Sequence, residues 1–209
     1  MTSLVIPDPA QRRDLAVFVG HVLRLDEASV VRLRTRADGL IGAWGATGFD
    51  VLAVRVVAGR IDPADVTCAG DVLFRGLTTG EAGDVDAGYA MDSAWRSALP
   101  PETGFVHVDD VPESVLADLA RRGAELAREH AGPQGPPVSL LDQDVLQVSG
   151  PQTEVSVPMR TLLALAAMRF MSEAEDGVVR VRALPGWLRL DARYGSVFRR
   201  RGDPVLLLS

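Results

Sequence analysis

The chain has 209 residues, 47% hydrophobic and 24% charged, enough to bury one large or two small cores, and its single cysteine, Cys68, excludes an intramolecular disulfide and a cysteine-built zinc site. It has no lysine and no asparagine, so all 22 basic residues are arginine; this excludes a P-loop lysine, a Schiff-base lysine and a kinase lysine, and fits a GC-rich bacterial coding sequence such as an actinobacterial one. The net charge of −6 lacks the basic excess with which dedicated nucleic-acid binders displace counterions, so composition argues against nucleic acid as a partner.

Met1 to Asp8 carries neither a basic n-region nor a long apolar h-region, so no signal or transit peptide is expected, and a lone cysteine places the protein in a reducing cytoplasm. Asp8-Pro9 opens a predicted amphipathic helix, with Asp8 as N-cap and a stripe at Leu15, Phe18, Val19, Val22 and Leu25. A hairpin follows: Val31, Leu33 and Thr35 alternate with Arg32 and Arg34, Asp38-Gly39 marks a tight turn, and the return runs from Leu40 to Trp44. Asp50 to Val57 supplies a third strand. Between Asp62 and Pro101 the pattern weakens, predicting a strand over Asp71 to Leu77 and a short helix near Ala90 to Ser97.

Phe105 to Val108 reads as a strand, and Pro112 opens a helix carrying Val115, Leu116, Leu119, Leu126 and Ala127, ended by Gly132. The Pro/Gly stretch 132–137 is the predicted linker between an N-terminal α+β half, 1–131, and a C-terminal α+β half, 138–209. Strands are expected at Val145 to Val148 and Glu154 to Val157. The helix from Pro158 to Met171, apolar nearly all round, belongs in a core or an oligomer interface, and with Arg169 inside it is too short to span a bilayer. Val178 to Arg182, a turn at Pro185-Gly186, and Trp187 to Arg193 form a second hairpin, with a last strand over Val205 to Leu208.

Displaced by 148 residues, Arg12–Arg34 falls on Arg160–Arg182 without a gap, with eight of 23 positions identical, among them Arg12/Arg160, Leu15/Leu163, Ala16/Ala164, Glu27/Glu175 and Val31/Val179. The fold class expected is therefore α+β, helices on mainly antiparallel sheets, with a helix-plus-hairpin unit that recurs or a chance match among abundant residues; a true recurrence makes 138–209 a pseudo-repeat of 12–57.

Few residues invite chemistry. His107 and Asp109, two apart at a strand end, can form an acid–base pair or merely flank a helix cap. Glu81, Asp84, Asp86 and Asp92 make an acidic loop, but Trp95 stands where an EF-hand starting at Asp84 needs its bidentate Glu, so a solvated loop is expected. His21 and His130 lack a second ligand at helical spacing, and Cys68 reads as a small core residue. No catalytic, cofactor-binding or metal residue is assigned, and no cofactor is expected.

A turn at Pro185-Gly186 sets Arg182 opposite Arg189 and Arg180 opposite Asp191; like charges face to face call for an anion, either an acidic, phosphate-bearing or RNA partner or the chain's own loops at 81–92 or 109–118. Arg193 and Arg199-Arg200-Arg201 enlarge this face, since residues 151–209 hold nine Arg against six acids (+3), whereas 1–150 hold 13 against 22 (−9). The leading functional reading is a non-enzymatic binding or protein-interaction module with no membrane partner, for which a homodimer is one form. The alternatives are a flavin-type enzyme and an RNA-associated factor using the Arg-rich hairpin.

Overall fold

The computed structural model describes residues 2–79, 83–132, 135–172 and 176–202. The chain divides into two units, Met1–Gly48 with Leu52–Glu102, and Phe49–Val51 with Thr103–Ser209. Each unit has helices packed on antiparallel strands, the α+β class expected.

In the first unit, β1 (Ser3–Ile6) leads into α1 (Pro9–Leu25). Asp8 Oδ1 accepts the Ala10 amide at 2.8 Å, and Pro9 sits in the first turn, where its missing N–H costs nothing. Leu15, Phe18, Val19 and Val22 are buried, while Leu25 at the end of the stripe is half-exposed. β2 (Val30–Thr35), β3 (Ile41–Ala46) and β4 (Leu52–Val57) form the expected meander, and Gly39 takes the left-handed φ of 78° that the Asp38-Gly39 turn requires. Helix α1 lies so close on β3 that a Cβ on Gly45 would fall 2.6 Å from Val22 Cγ2.

β5 (Arg60–Asp62) then pairs with β1, and β6 (Asp65–Ala69) pairs with β2, giving a sheet ordered β6-β2-β3-β4. The predicted strand over Asp71 to Leu77 is instead helix α2 (Gly70–Thr79), followed by β7 (Gly83–Val85) on the other edge of β1. Its buried positions, Leu73, Gly76 and Leu77, have helical spacing, and an Asp71–Arg75 ion pair spans one turn of its surface. The helix expected near Ala90 to Ser97 shrinks to one 3-10 turn at Asp92–Ala94.

The second unit opens with β8 (Val106–Pro112) and α3 (Glu113–Glu129), then α4 (Val138–Leu141), β9 (Asp144–Ser149) and β10 (Glu154–Pro158). The stretch 132–137 thus lies inside this unit, between α3 and α4; Pro133 and Gln134 are outside the described residues. Helix α5 (Met159–Ala167) is buried at every position from Met159 to Leu165, packed within the unit against α3, β10 and β13 (Gly195–Arg200). β11 (Val178–Leu184) and β12 (Trp187–Ala192) form the expected hairpin in the expected register, Arg182 opposite Arg189 and Arg180 opposite Asp191. The sheet runs β8-β11-β12-β13; the sequence pattern did not reveal β13, and the strand expected over Val205 to Leu208 lies outside the described residues.

The order strand, helix, three-stranded meander occurs in both units, as β1-α1-β2-β3-β4 and as β10-α5-β11-β12-β13. Arg12 and Arg160, aligned by the sequence match, are both buried at the start of their helices and both donate to backbone carbonyls: Arg12 to Gly76 and Leu77, each at 2.8 Å, and Arg160 to Phe49 at 3.0 Å. Glu175, the partner of Glu27 in that match, is not among the described residues. No helix among the described residues is long and apolar enough to cross a membrane.

Candidate functional site

The outer face of the β8-β11-β12-β13 sheet brings together most of the residues that the sequence singles out. Asp191 sits between the two facing arginines. Its Oδ1 lies 2.6 Å from Arg189 Nε and its Oδ2 lies 3.3 Å from Arg182 Nε, and Ser196, directly across on β13, donates its hydroxyl to the same carboxylate. The anion demanded by the Arg182–Arg189 pairing therefore comes from the hairpin itself, two residues along the same strand. Arg189 also lies over two rings, 5.5 Å from Phe105 and 5.2 Å from Phe198, which meet edge to face at 5.7 Å.

Other arginines of this region have separate partners. Arg180 lies 3.9 Å from Asp110 and is 59% exposed, while Arg200 and Arg193 lie over Trp187 and Tyr194 at 6.0 and 5.8 Å. Arg199 points to Asp142 at 3.1 Å, which it shares with Arg160 at 2.7 Å, and Arg201 donates to the Leu184 carbonyl.

His107 pairs with Asp110, Nε2 to Oδ1 at 2.9 Å, and not with Asp109, whose carboxylate accepts the Asp110 amide. The cause is a bulge opposite Val181/Arg182, which breaks the two-residue period of β8 and puts three residues where two were expected. The pair is open to solvent, 52% and 41% exposed, without the dry surroundings that tune acid–base groups.

The acidic loop does not converge. Asp86 accepts the Gly88 amide, Asp92 accepts the Thr67 amide at 2.7 Å, and Glu81 is outside the described residues. Among the described residues no three His, Cys, Asp or Glu side chains are placed to hold a metal ion. Cys68 is buried on β6, where loss of solvation, helped by the charge of Asp92, pushes its thiol up to about 11, the opposite of an activated nucleophile. His130 caps α3 through an Nδ1 contact of 2.9 Å with the Leu126 carbonyl, and His21 is half-buried on α1.

Residues 1–97 match the family described as Domain of unknown function (DUF8010), and residues 100–204 match the one described as Domain of unknown function (DUF8185). No curated protein matches the chain. Among solved structures, the β sliding clamp of Caulobacter crescentus is similar over 98% of this chain and 67% of its own, with 16% identity and a TM-score of 0.60. The DNA polymerase sliding clamp of Bacillus subtilis is similar over 100% and 68%, with 12% identity and a TM-score of 0.58. The β subunit of the Streptococcus pyogenes DNA polymerase is similar over 99% and 67%, with 12% identity and a TM-score of 0.55. The chain thus spans about two thirds of the length of these proteins, and at such identities the likeness speaks for the fold.

The matches correct one expectation. On composition alone the net charge of −6 argues against nucleic acid as a partner, yet the fold is that of DNA polymerase sliding clamps, so the charge excludes nothing. Net charge sums over the whole surface and carries no information about fold.

Proposed function

This chain belongs to the family described as Domain of unknown function (DUF8185), and on that premise we propose that it is a non-enzymatic interaction module of the sliding-clamp fold that holds partner proteins on DNA in the bacterial cytoplasm. One observation carries the reading: a likeness to DNA polymerase sliding clamps that runs over 98% of the chain. The chemistry is consistent with it. The one histidine–carboxylate pair of the sheet face is solvated, and the cysteine is buried and protonated.

Of the arginines on which an RNA-associated role would rest, Arg182, Arg189 and Arg199 are paired with Asp191 or Asp142, while Arg193 and Arg200 lie over aromatic rings. Phosphate attraction is correspondingly modest, and contacts with partner proteins do most of the holding. Affinity purification of the tagged full chain from its host, before and after nuclease digestion, tests this. The expected result is a stoichiometric DNA-replication or DNA-repair protein that survives nuclease. A chain that elutes alone, or only with metabolic enzymes, would contradict the proposal.

A further inference from the structure

Between α3 and α5 runs an open apolar groove of about 680 Å³. Ala120 and Ala124 from one helix and Leu163 and Ala166 from the other line it, with Phe49 and Met171 completing its apolar wall. Two cations border it, Arg121 and Arg169. Arg121 is already answered by Asp118 at 2.6 Å and Glu125 at 3.0 Å, whereas Arg169 is exposed and has no acidic partner among the described residues.

Arg169 also stands in an unusual place. Helix α5 ends in a Schellman turn: the Phe170 amide donates to Leu165 and the Arg169 amide to Ala166. The residue at the left-handed position of this turn is usually glycine, and here it is Arg169, with φ 52°. Glycine would be the less strained residue there, and the arginine instead places a guanidinium at the edge of the groove.

We infer that this groove docks a short segment of a partner protein, with apolar side chains on the alanine and leucine floor and a carboxylate paired with Arg169. This rests on the interaction-module reading and names the chemistry of its partner. Guanidinium and carboxylate match as a two-pronged, charge-assisted pair, and the apolar floor supplies the burial. A nucleic-acid backbone fits worse, because Arg121 and Arg122 on the α3 flank are already paired with Asp118 and Glu125, and an apolar floor offers a run of phosphates no donors.

The test begins with selection of a random dodecapeptide display library on the immobilised full chain. Enriched sequences are then made as fluorescein-labelled peptides and titrated by anisotropy against the wild type, Arg169→Gly and Ala124→Phe, which fills the groove. The expected peptides place Asp or Glu, or their own C-terminal carboxylate, beside apolar residues. They bind Arg169→Gly about tenfold more weakly or worse, although that variant melts at a higher temperature than the wild type, and they lose binding to Ala124→Phe. Amidating the terminus tells the two carboxylate sources apart.

A library that yields no enriched sequence, peptides without an acid, equal affinity for Arg169→Gly, or displacement by duplex DNA would overturn the inference. If peptide binding fails while the purified chain still carries its DNA-replication or repair partner, the groove assignment falls alone. If the peptides behave as expected and that partner is absent, the functional reading falls and the groove stands.

Discussion

Arg12 donates through Nε and Nη2 to the carbonyls of Leu77 and Gly76, which belong to the last turn of α2 and have no partner within that helix. A buried guanidinium thus completes a helix terminus and meets the negative end of its dipole. Removing it strands two acceptors, so Arg12→Ala should cost about 2–3 kcal/mol, and Arg12→Lys should recover only part because an ammonium lacks the fork. Arg160→Ala should cost a similar amount by freeing the Phe49 carbonyl and leaving Asp142 to Arg199 alone. Urea midpoints read both, and a change under about 0.5 kcal/mol at either position would show that the arginine is a surface accessory. Asp191 follows the same logic: two like charges are tolerated because a third, opposite one is placed by strand alternation on the same face.

At the level of elements, α2 shows most sharply how backbone proximity sets side-chain size. A Cβ on Gly76 would lie 2.0 Å from the Asp86 carbonyl oxygen, and backbone cannot move aside as a side-chain tip can. Gly76→Ala should therefore push α2 off the 86–88 segment and cost about 2–3 kcal/mol, read as a fall in Tm; an unchanged Tm would mean that the approach is looser than described.

The same helix marks where sequence reading stops. Val72-Leu73-Phe74 is an apolar run that fits a buried strand as well as a short helix, and only the packing of Gly76 decides. Strands of three or four residues, such as β1, β5 and β7, are too short to display a period. In α3 the sequence points to Val115, Leu116, Leu119, Leu126 and Ala127; Leu116 and Ala127 are buried, but Val115 and Leu126 are exposed, and Glu113, Ala120 and Gly123 complete the buried face because Met159 of α5 lies close enough to demand small residues. The alternating three- and four-residue spacing of those small residues was the available signal, and it would have pointed to the α3–α5 groove as well. By contrast, the Asp8 cap, the Asp38-Gly39 turn and the Arg182–Arg189 register were legible, since each follows from local backbone chemistry. Arg169 was not, because its left-handed φ leaves no trace in its residue type.

For the whole molecule, the two units share one order of elements, and four of the eight identical pairs at the offset of 148 residues, Arg12/Arg160, Leu15/Leu163, Ala16/Ala164 and Val31/Val179, are buried in both. The chain's acidic balance, which composition read as hostile to DNA, is compatible with a scaffold retained through proteins. The measurement that bears most directly on this account is recovery of chromosomal DNA with the tagged full chain, expressed at its native level and cross-linked in living cells with formaldehyde. DNA should be enriched well above an untagged control and lost when nuclease precedes the capture; recovery at the control level would rule out a scaffold held on DNA.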